Sequence, residues 1–377
     1  MKIVMIGQFP PHIGGVGAHS YTLAKKLIKK NHEVYVITYP HKNIQNITVK
    51  NDEGKSIGEI HVIGTNGLNI PGLRGLLFAI NGKKALKKLI KEEKIDIIHG
   101  HFLFPPGYVA TSVGKNKNIK TYVTSHGSDI LDLYKNHSYI RPLIKSVLNK
   151  ADKVIAVSNA LKNEIIKIDV PNISKKTEVI YNSVDTVKFH PNKEYKFKKE
   201  LKQIYNTKFH EDYPLLLYVG SIIKKKNIDT LIEAKKLLPY KTNLVIVGSG
   251  VELNNLKEKV NKENIEDVFF TGSRRDVEEI IPSCDMLILP SFIESFGLVL
   301  IEAMACSKPV IGSKVNGIKE VITDDVGLLF NPNDKNDLAN CINKIIKDKD
   351  LKNKFIKNSR NRALKFSKVN IPYEEID

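Results

Sequence analysis

Short apolar runs alternate with segments of helical spacing along the whole chain of 377 residues, and this alternation restricts the fold more than any other feature. In the first half the runs cover residues 2–6, 33–38, 95–99, 120–125, 153–157 and 178–181. In the second half they cover residues 215–219, 244–247, 268–270, 286–289 and 310–312. Strands that alternate with helices predict parallel sheets with helices on both faces. The sequence therefore predicts an α/β protein built from two doubly wound, Rossmann-like domains.

The length of the chain also indicates two domains, because single cores rarely grow beyond about 250–300 residues. Residues 192–212 are polar, rich in lysine and without a strand-like run, so they are the predicted linker between domains at 1–191 and 213–360. We expect the domains to face a central cleft. In open parallel sheets ligands bind beyond the carboxyl ends of the strands, so chemistry is expected directly after each strand.

The chain carries 59 Lys and Arg residues against 41 Asp and Glu residues, a formal net charge of +18. Such a surface predicts attraction to phosphorylated substrates, polyanions or anionic membranes, although a general lysine excess from base composition explains the charge equally well. Neither a signal peptide nor a run of 18 uncharged apolar residues is present, which predicts a cytoplasmic protein. Cys284, Cys306 and Cys341 have neither metal-ligand nor disulfide spacing, so reduced thiols are expected.

Three polar segments follow predicted strands in the first half. Residues 7–17 form a glycine-rich turn before a helix, suited to binding an anion or a sugar hydroxyl through backbone N–H groups, or serving only as a turn. His99 and His101 follow the third predicted strand, and His126 and Asp129 follow the fourth. Histidines at two strand ends are well placed to meet a substrate. They lack zinc spacing and a third ligand motif, so no metal is expected.

In the second half the predicted site combines cations and carboxylates. Three consecutive lysines, Lys224 to Lys226, follow a strand and suit a diphosphate, although a solvated lysine run is the alternative. Glu294 lies in the loop after a later strand and Glu302 in the following helix, with backbone amides between them. Carboxylates that accept hydrogen bonds from sugar hydroxyls, beside a helix N-terminus that favours phosphate, predict a nucleotide-sugar site.

The segment from residue 290 to residue 305 resembles the Glu, seven residues, Glu motif of the retaining glycosyltransferases of family 4, matched by Glu294 and Glu302. The likeness extends from the first strand to about residue 366. Further matches are Gly14, Gly15 and Gly17, then His99 and His101, then residues 126–129, 181–185 and 309–310, and finally Gly317 and Glu320. The resemblance implies a GT-B fold, with a final helix at 361–377 that crosses back to the first domain.

The resemblance also implies roles for individual residues. Catalytic roles fall to His126, Glu294 and Lys226. Donor-binding roles fall to Gly15, Gly220, Ser221, Lys226, Ser273, Glu294, Ser295, Phe296, Gly297, Leu298 and Glu302. Gly14, His101 and Asp129 are implied on the sugar or acceptor side. Ser221 stands where the family has an arginine, which Lys224 or Lys225 would replace, and Ser183, Asn227 and Asn316 stand at common glycine positions.

The implied reaction is hexosyl transfer with retention, from a nucleotide diphosphate sugar, with a UDP-sugar expected, to a glycan, lipid-linked or small-molecule acceptor, without cofactor or metal. A nucleotide-sugar epimerase or hydrolase of the same fold is one alternative. A basic protein that binds glycans or nucleic acid without catalysis is another, although dispersed lysines, 7% aromatic content and no tryptophan argue against nucleic acid.

Residues 71–94 carry an amphipathic pattern. An apolar stripe comprises Leu73, Leu76, Leu77, Ile80, Ala85, Leu86, Leu89 and Ile90, and a basic stripe comprises Lys84, Lys87, Lys88 and Lys91. An ordinary surface helix that packs on the first domain is one interpretation. The other is a helix that rests on an anionic membrane and places the enzyme peripherally on its inner face.

Overall fold

A computed structural model describes residues 1–12, 14–51, 53–66, 73–191 and 196–373. The chain divides into two compact units, here called the first unit, which is residues 1–182 together with the chain from residue 369, and the second unit, which is residues 183–368. None of the described helices is long and apolar enough to cross a membrane.

The described part of the first unit contains a single eight-stranded sheet. Its strands are β1 Lys2–Ile6, β2 Glu33–Thr38, β3 Ile47–Lys50, β4 Ser56–Gly64, β5 Ile97–His101, β6 Lys120–Ser125, β7 Lys153–Ala156 and β8 Thr177–Val179. They lie in the order β3-β4-β2-β1-β5-β6-β7-β8, and every pair is parallel except β3 with β4. The order reverses between β1 and β5, so ligands are expected beyond the carboxyl ends of these two strands.

Helices cover both faces of this sheet. They are α1 Gly15–Lys29, α2 Arg74–Glu92, α3 Tyr108–Lys117, α4 Arg141–Lys150, α5 Asn159–Ile166 and α6 Ile173–Lys176. Alternate residues of β1 enter different cores, because successive side chains of a strand point to opposite faces. Ile3 and Met5 pack in the core that contains Leu23 and Leu27 of α1, whereas Val4 packs in the core on the other face.

The second unit is a six-stranded parallel sheet in the order β11-β10-β9-β12-β13-β14, the arrangement of nucleotide-binding Rossmann domains. The strands are β9 Leu215–Val219, β10 Asn243–Val247, β11 Val268–Gly272, β12 Met286–Leu289, β13 Val310–Ser313 and β14 Gly327–Phe330. The helices are α7 Lys196–Tyr205, α8 Ile228–Lys236, α9 Leu253–Lys262, α10 Val277–Ile280, α11 Leu298–Ala305, α12 Ile318–Val321, α13 Lys335–Lys347 and α14 Lys349–Leu364. Two doubly wound domains were predicted, and the fold confirms them.

The sequence pattern misses three strands and misplaces one. β3 is the edge strand and β4 lies next to it. Most residues of β4 are at least partly exposed, and its apolar positions are interrupted by polar ones. The short β14 is missed as well. β5 begins at Ile97 and ends at His101, two residues later than predicted, so His99 and His101 lie within the strand instead of after it.

The domain boundaries also differ from the predicted ones. The expected linker contains α7, whose Phe197 and Leu201 are buried one helical turn apart and whose Glu200 pairs with Arg274 of the second unit. Residues 192–195 of that linker lie outside the described part. The second unit begins at Ser183, before the predicted boundary at 191.

The expected helix from 361 that crosses back is not observed as such. α14 ends at Leu364 inside the second unit, and the return to the first unit begins at Val369 without a helix up to residue 373. Ile371 and Tyr373 are buried in the core beside α1, which explains why the chain returns there. Residues 374–377 lie outside the described part.

Candidate functional site

In the second unit, an ion pair joins the two loops where the strand order reverses. A short 3₁₀ turn, Lys224–Lys226, follows β9, and the Lys226 ammonium donates to the Glu294 carboxylate, which follows β12, at 2.5 Å. Their side chains are 19% and 15% exposed. The structure therefore brings together a predicted phosphate-binding cation and a predicted sugar-binding carboxylate, at the edge where a ligand is expected.

Asn227 explains how this turn tolerates the absence of the family's usual glycine. Its φ of 56° is left-handed, a conformation that asparagine adopts more readily than most residues. Its amide donates to the Pro290 carbonyl at 3.1 Å and to the Pro332 carbonyl at 2.8 Å. The substitution therefore ties the lysine turn to the neighbouring loops instead of disrupting it.

The N-terminus of α11 lies directly after the Glu294 loop. Gly297 has a φ of 87°, and a Cβ there would lie 2.9 Å from the side chain of Leu300, so glycine suits this position. Leu298 begins the helix, and its amide is among those that lack an intrahelical partner. Phe296 is 1% exposed and packs edge to face on Phe366, so its ring supports the loop.

Glu302 lies one helical turn further into α11 and is partly buried. Loss of solvation raises its pKa to about 7, an effect that nearby Lys188 opposes and Glu278 reinforces. This carboxyl is therefore poised between its neutral and charged forms near neutral pH.

The remaining predicted donor residues follow β9, β10 and β11. Ser221 is exposed and its carbonyl accepts the Tyr218 hydroxyl at 2.8 Å. Ser273 is exposed, and its hydroxyl is 2.7 Å from that of Ser249, which links the loops after β10 and β11. Gly220 lies just before Ser221 at the end of β9, and Ser295 lies between Glu294 and Phe296. These residues line the same carboxyl-terminal edge of the sheet.

In the first unit, histidines from three elements converge. His101 ends β5, His126 follows β6, and His19 lies in the second turn of α1. His101 Nδ1 and His126 Nε2 are 3.3 Å apart, and one ring nitrogen from each of the three histidines lies within 4.8 Å of the other two. Sequence reasoning missed His19; the available signal was its place in the helix that follows the glycine-rich turn.

A fourth histidine, His99, packs against this group and supports it. His99 and His101 lie two residues apart in β5 and share a sheet face, with ring centroids 4.3 Å apart. His99 Nδ1 is 2.8 Å from the Tyr373 hydroxyl, and His99 Nε2 is 2.7 Å from that of Thr124. Both nitrogens of His99 are thus engaged, and the ring is fixed beneath His101.

Burial keeps all four imidazoles neutral. It lowers the pKa of His19 to about 4 and that of His99 to about 3, and it lowers the pKa values of His101 and His126 well below the ordinary range. A neutral imidazole offers one donor and one acceptor nitrogen. The group is therefore suited to hydrogen bonds with uncharged hydroxyls.

Asp129 is not on the exposed side of this group. It is 2% exposed, and its carboxylate accepts the Ser125 hydroxyl at 2.6 Å and the amides of Leu103 and Gly127 at 2.9 and 3.1 Å. These contacts brace the turn that carries His126. The structure thus gives Asp129 a supporting position in place of the direct sugar contact that was expected.

The glycine-rich turn precedes α1. Gly14 and Gly15 are exposed at the N-terminus of the helix, while Ile13 lies outside the described residues. The first described turn of α1 therefore presents free backbone amides on the same edge of the sheet as His101 and His126.

Comparison with known proteins identifies the class. The family model for Glycosyltransferase Family 4 matches residues 13–188, and the model for Glycosyl transferases group 1 matches residues 198–362. The chain belongs to the family 4 glycosyltransferases and is a glycosyltransferase of the GT-B type.

Relatives of similar length support this assignment. An uncharacterized glycosyltransferase of Methanocaldococcus jannaschii is 33% identical, over 97% of this chain and 94% of its own. N-acetyl-alpha-D-glucosaminyl L-malate synthase of Bacillus anthracis is 30% identical, over 90% of this chain and 87% of its own.

Solved structures share the fold. Sucrose-phosphate synthase from Thermosynechococcus elongatus matches with a TM-score of 0.81 at 24% identity, over 100% of this chain and 96% of its own. HepE of Anabaena, solved in complex with UDP-glucose, matches with a TM-score of 0.78 at 21% identity, over 97% of this chain and 95% of its own.

Proposed function

We propose that this glycosyltransferase transfers a hexose from a UDP-sugar to a small-molecule, lipid-linked or glycan acceptor, with retention of the anomeric configuration. The observation that carries the proposal is the pairing of Lys226 with Glu294 beside the N-terminus of α11. A cation, a carboxylate and free helix amides at one sheet edge match the diphosphate and the sugar of such a donor.

Lys226 has two partners in this proposal. Without donor it is neutralised by Glu294, which keeps a partly buried charge paired. When the donor binds, its diphosphate takes over the ammonium, and Glu294 is released to accept hydrogen bonds from the sugar hydroxyls. Glu302 accepts hydrogen bonds from the ribose.

The reaction breaks the bond between the anomeric carbon and the diphosphate oxygen. The acceptor oxygen bonds to the same face of that carbon, and its proton passes to the departing diphosphate. Lys226 and the amides at Leu298 stabilise the negative charge that grows on the leaving group. His126 orients the sugar as a neutral hydrogen-bonding group.

Names among the similar proteins support the choice of substrates. The Bacillus anthracis relative is named for an N-acetylglucosaminyl product with L-malate, a small-molecule acceptor, and the Anabaena structure holds UDP-glucose. UDP-N-acetylglucosamine and UDP-glucose are therefore the first donors to test.

A nucleotide-sugar screen by thermal stabilisation tests the donor, since a ligand at 100 times its dissociation constant adds about 2.7 kcal/mol to the free energy of unfolding. UDP-sugars are expected to stabilise the protein, and stabilisation by other nucleotides alone would contradict the donor assignment. Acceptor-dependent product of retained configuration is expected by NMR. Donor turnover without any acceptor would instead support the epimerase or hydrolase alternative.

Two variants separate the roles of the carboxylates. Glu294→Gln should lower kcat more than donor affinity, because Glu294 acts on the reacting sugar. Glu302→Ala should mainly lower donor affinity, because Glu302 holds the ribose. Equal effects of both variants on both parameters would contradict this division.

We further propose that α2 rests on an anionic membrane surface. Leu86 and Leu89 of its apolar stripe are buried, but Leu73, Leu76 and Ile80 are 48%, 55% and 46% exposed. The basic stripe, Lys84, Lys87, Lys88 and Lys91, is exposed as well. Residues 71 and 72 of the predicted amphipathic segment lie outside the described part. Exposed apolar side chains beside lysines fit an interfacial helix better than a helix that only packs on the sheet.

Sedimentation with anionic liposomes tests this helix. We expect binding at low salt that fades as salt rises, since each lysine near the surface contributes about 1 kcal/mol before screening. Replacing Lys84, Lys87, Lys88 and Lys91 with Gln should abolish most binding, whereas replacing Lys257 and Lys262 of α9 should not. Absence of binding by the unaltered chain, active on a soluble acceptor, would contradict the proposal.

A further inference from the structure

The histidine group of the first unit has a feature that glycosyl transfer does not require. His19, His101 and His126 come from α1, the end of β5 and the loop after β6, and each directs a ring nitrogen into one small volume. The sequence shows no metal motif because these residues are separated by 82 and 25 positions. Only the fold assembles the trio.

The spacing of the nitrogens fits a divalent transition ion. Zn²⁺ binds imidazole nitrogen at about 2.0–2.1 Å, so two nitrogens in a tetrahedral site lie roughly 3.3 Å apart. His101 Nδ1 and His126 Nε2 are 3.3 Å apart, and the trio offers three nitrogens within 4.8 Å of one another. Small ring rotations would bring the third nitrogen to the same spacing.

The ring of His101 is held in place by a neighbouring residue. Both nitrogens of His99 are engaged by Tyr373 and Thr124, and the ring centroids of His99 and His101 lie 4.3 Å apart. His99 would then fix the ring of His101 from outside the metal shell, as supporting residues do in metal sites.

We propose that His19, His101 and His126 bind one divalent transition-metal ion of the Zn²⁺ class, with the remaining coordination position open to water. This goes beyond the proposed function, in which no metal takes part. One consequence rests on the proposed function. An ion bound to His126 occupies the nitrogen that orients the sugar, so metal binding should inhibit transfer.

Metal titration of the full chain, first freed of metal with a chelator, tests the site directly. We expect one Zn²⁺ per chain by calorimetry and a tetrahedral visible spectrum with Co²⁺, while Mg²⁺, which prefers oxygen ligands, should not bind there. His19→Asn and His101→Asn should each weaken Zn²⁺ binding at least about tenfold. Loss of a residue that only supports a metal ligand already weakens metal binding by about tenfold or more, so loss of a ligand should cost at least as much. The control variant His210→Asn, exposed in the second unit, should bind as the unaltered chain does.

Partly exposed His19 keeps the test usable if His101→Asn does not fold. Equal Zn²⁺ affinity in His19→Asn, His210→Asn and the unaltered chain would overturn the proposal, as would no stoichiometric binding. Transfer assays with and without chelator separate the two hypotheses. If the protein binds the metal but does not turn over UDP-sugars, the metal site stands and the proposed donor is refuted. If it transfers sugar in the presence of chelator and binds no metal, the proposed donor stands and the metal site is refuted.

Discussion

The two units present opposite chemistry at corresponding edges of their sheets. In the first unit, loss of solvation keeps four histidines neutral, and Asp129 is enclosed by hydrogen bonds from Ser125, Gly127 and Leu103. In the second unit, the corresponding edge carries Lys226 and Glu294 as an ion pair, followed by the N-terminus of α11. In the proposed function, the same topological position serves uncharged hydroxyls in one unit and charged phosphate groups in the other.

The contrast arises from how each edge is solvated. Desolvation dominates around His101 and His126 and removes their charge, because a buried charge without a partner is costly. Around Lys226 the surroundings differ, because a carboxylate lies 2.5 Å from its ammonium and the side chain remains partly exposed. Variants that change one edge should therefore affect donor affinity and catalysis differently.

The largest effect is expected for Lys226→Ala. Donor binding should weaken by about 2–5 kcal/mol, because truncation leaves a partly buried diphosphate without its cation. Calorimetry with UDP measures this loss. Lys241→Ala is the matched control, since Lys241 forms an ion pair with Glu266 in the same unit but is 60% exposed. Unchanged UDP affinity in Lys226→Ala would refute the assignment of charge recognition to this edge.

Glu302→Gln should raise stability in a pH-dependent way. The pKa of Glu302 in the folded protein, about 7, exceeds the ordinary value of 4.5. Its contribution to the free energy of unfolding is therefore fully present below about pH 4.5 and is lost as the pH rises to about 7. The glutamine cannot ionise, so above pH 7 it should be more stable than the unaltered chain by about 3 kcal/mol, using 1.36 kcal/mol per pKa unit. Denaturation at pH 5 and pH 8 measures the difference, and a pH-independent effect would show that Glu302 is not held near neutrality.

His126→Ala should leave the protein folded and lower transfer by about a hundredfold, comparable to the loss of one preorganised hydrogen-bonding group. UDP affinity should change little, because the proposed function assigns the diphosphate of the donor to the second unit. His61→Ala, a partly exposed histidine of β4, is the control. Loss of folding, or an equal loss of UDP affinity, would erase the distinction between the two edges.

Tyr373→Phe should have the smallest effect. It removes the hydroxyl that bonds His99 and leaves a buried nitrogen without its partner, which should cost about 1 kcal/mol of stability. Transfer should fall by less than in His126→Ala, because His99 acts on the site only through its contact with His101. Tyr139→Phe, at a 73% exposed tyrosine, is the comparison, and identical melting temperatures for the two variants would exclude this supporting role.

The parts of the site that the sequence predicts lie within continuous segments. Glu294, Gly297 and Glu302 occur within nine residues, so their placement follows from one strand, one turn and one helix. The pairing of Lys226 with Glu294 was not predicted, because it joins residues 68 positions apart. It follows from β9 and β12 being adjacent in the sheet.

By itself, the sequence determined the two alternating α/β patterns, the class of enzyme and most strands, because buried parallel strands are short, strongly apolar and bounded by turn residues. Half-exposed strands such as β4 escaped it, because they alternate polar and apolar residues and lack a continuous apolar run. Only the tertiary structure decided that His19 joins His101 and His126, that Asp129 supports a turn, and that Tyr373 returns to hold His99. Each of these contacts joins side chains that only the packed sheet places within hydrogen-bonding distance. The contacts therefore depend on strand order and burial, which local sequence does not encode.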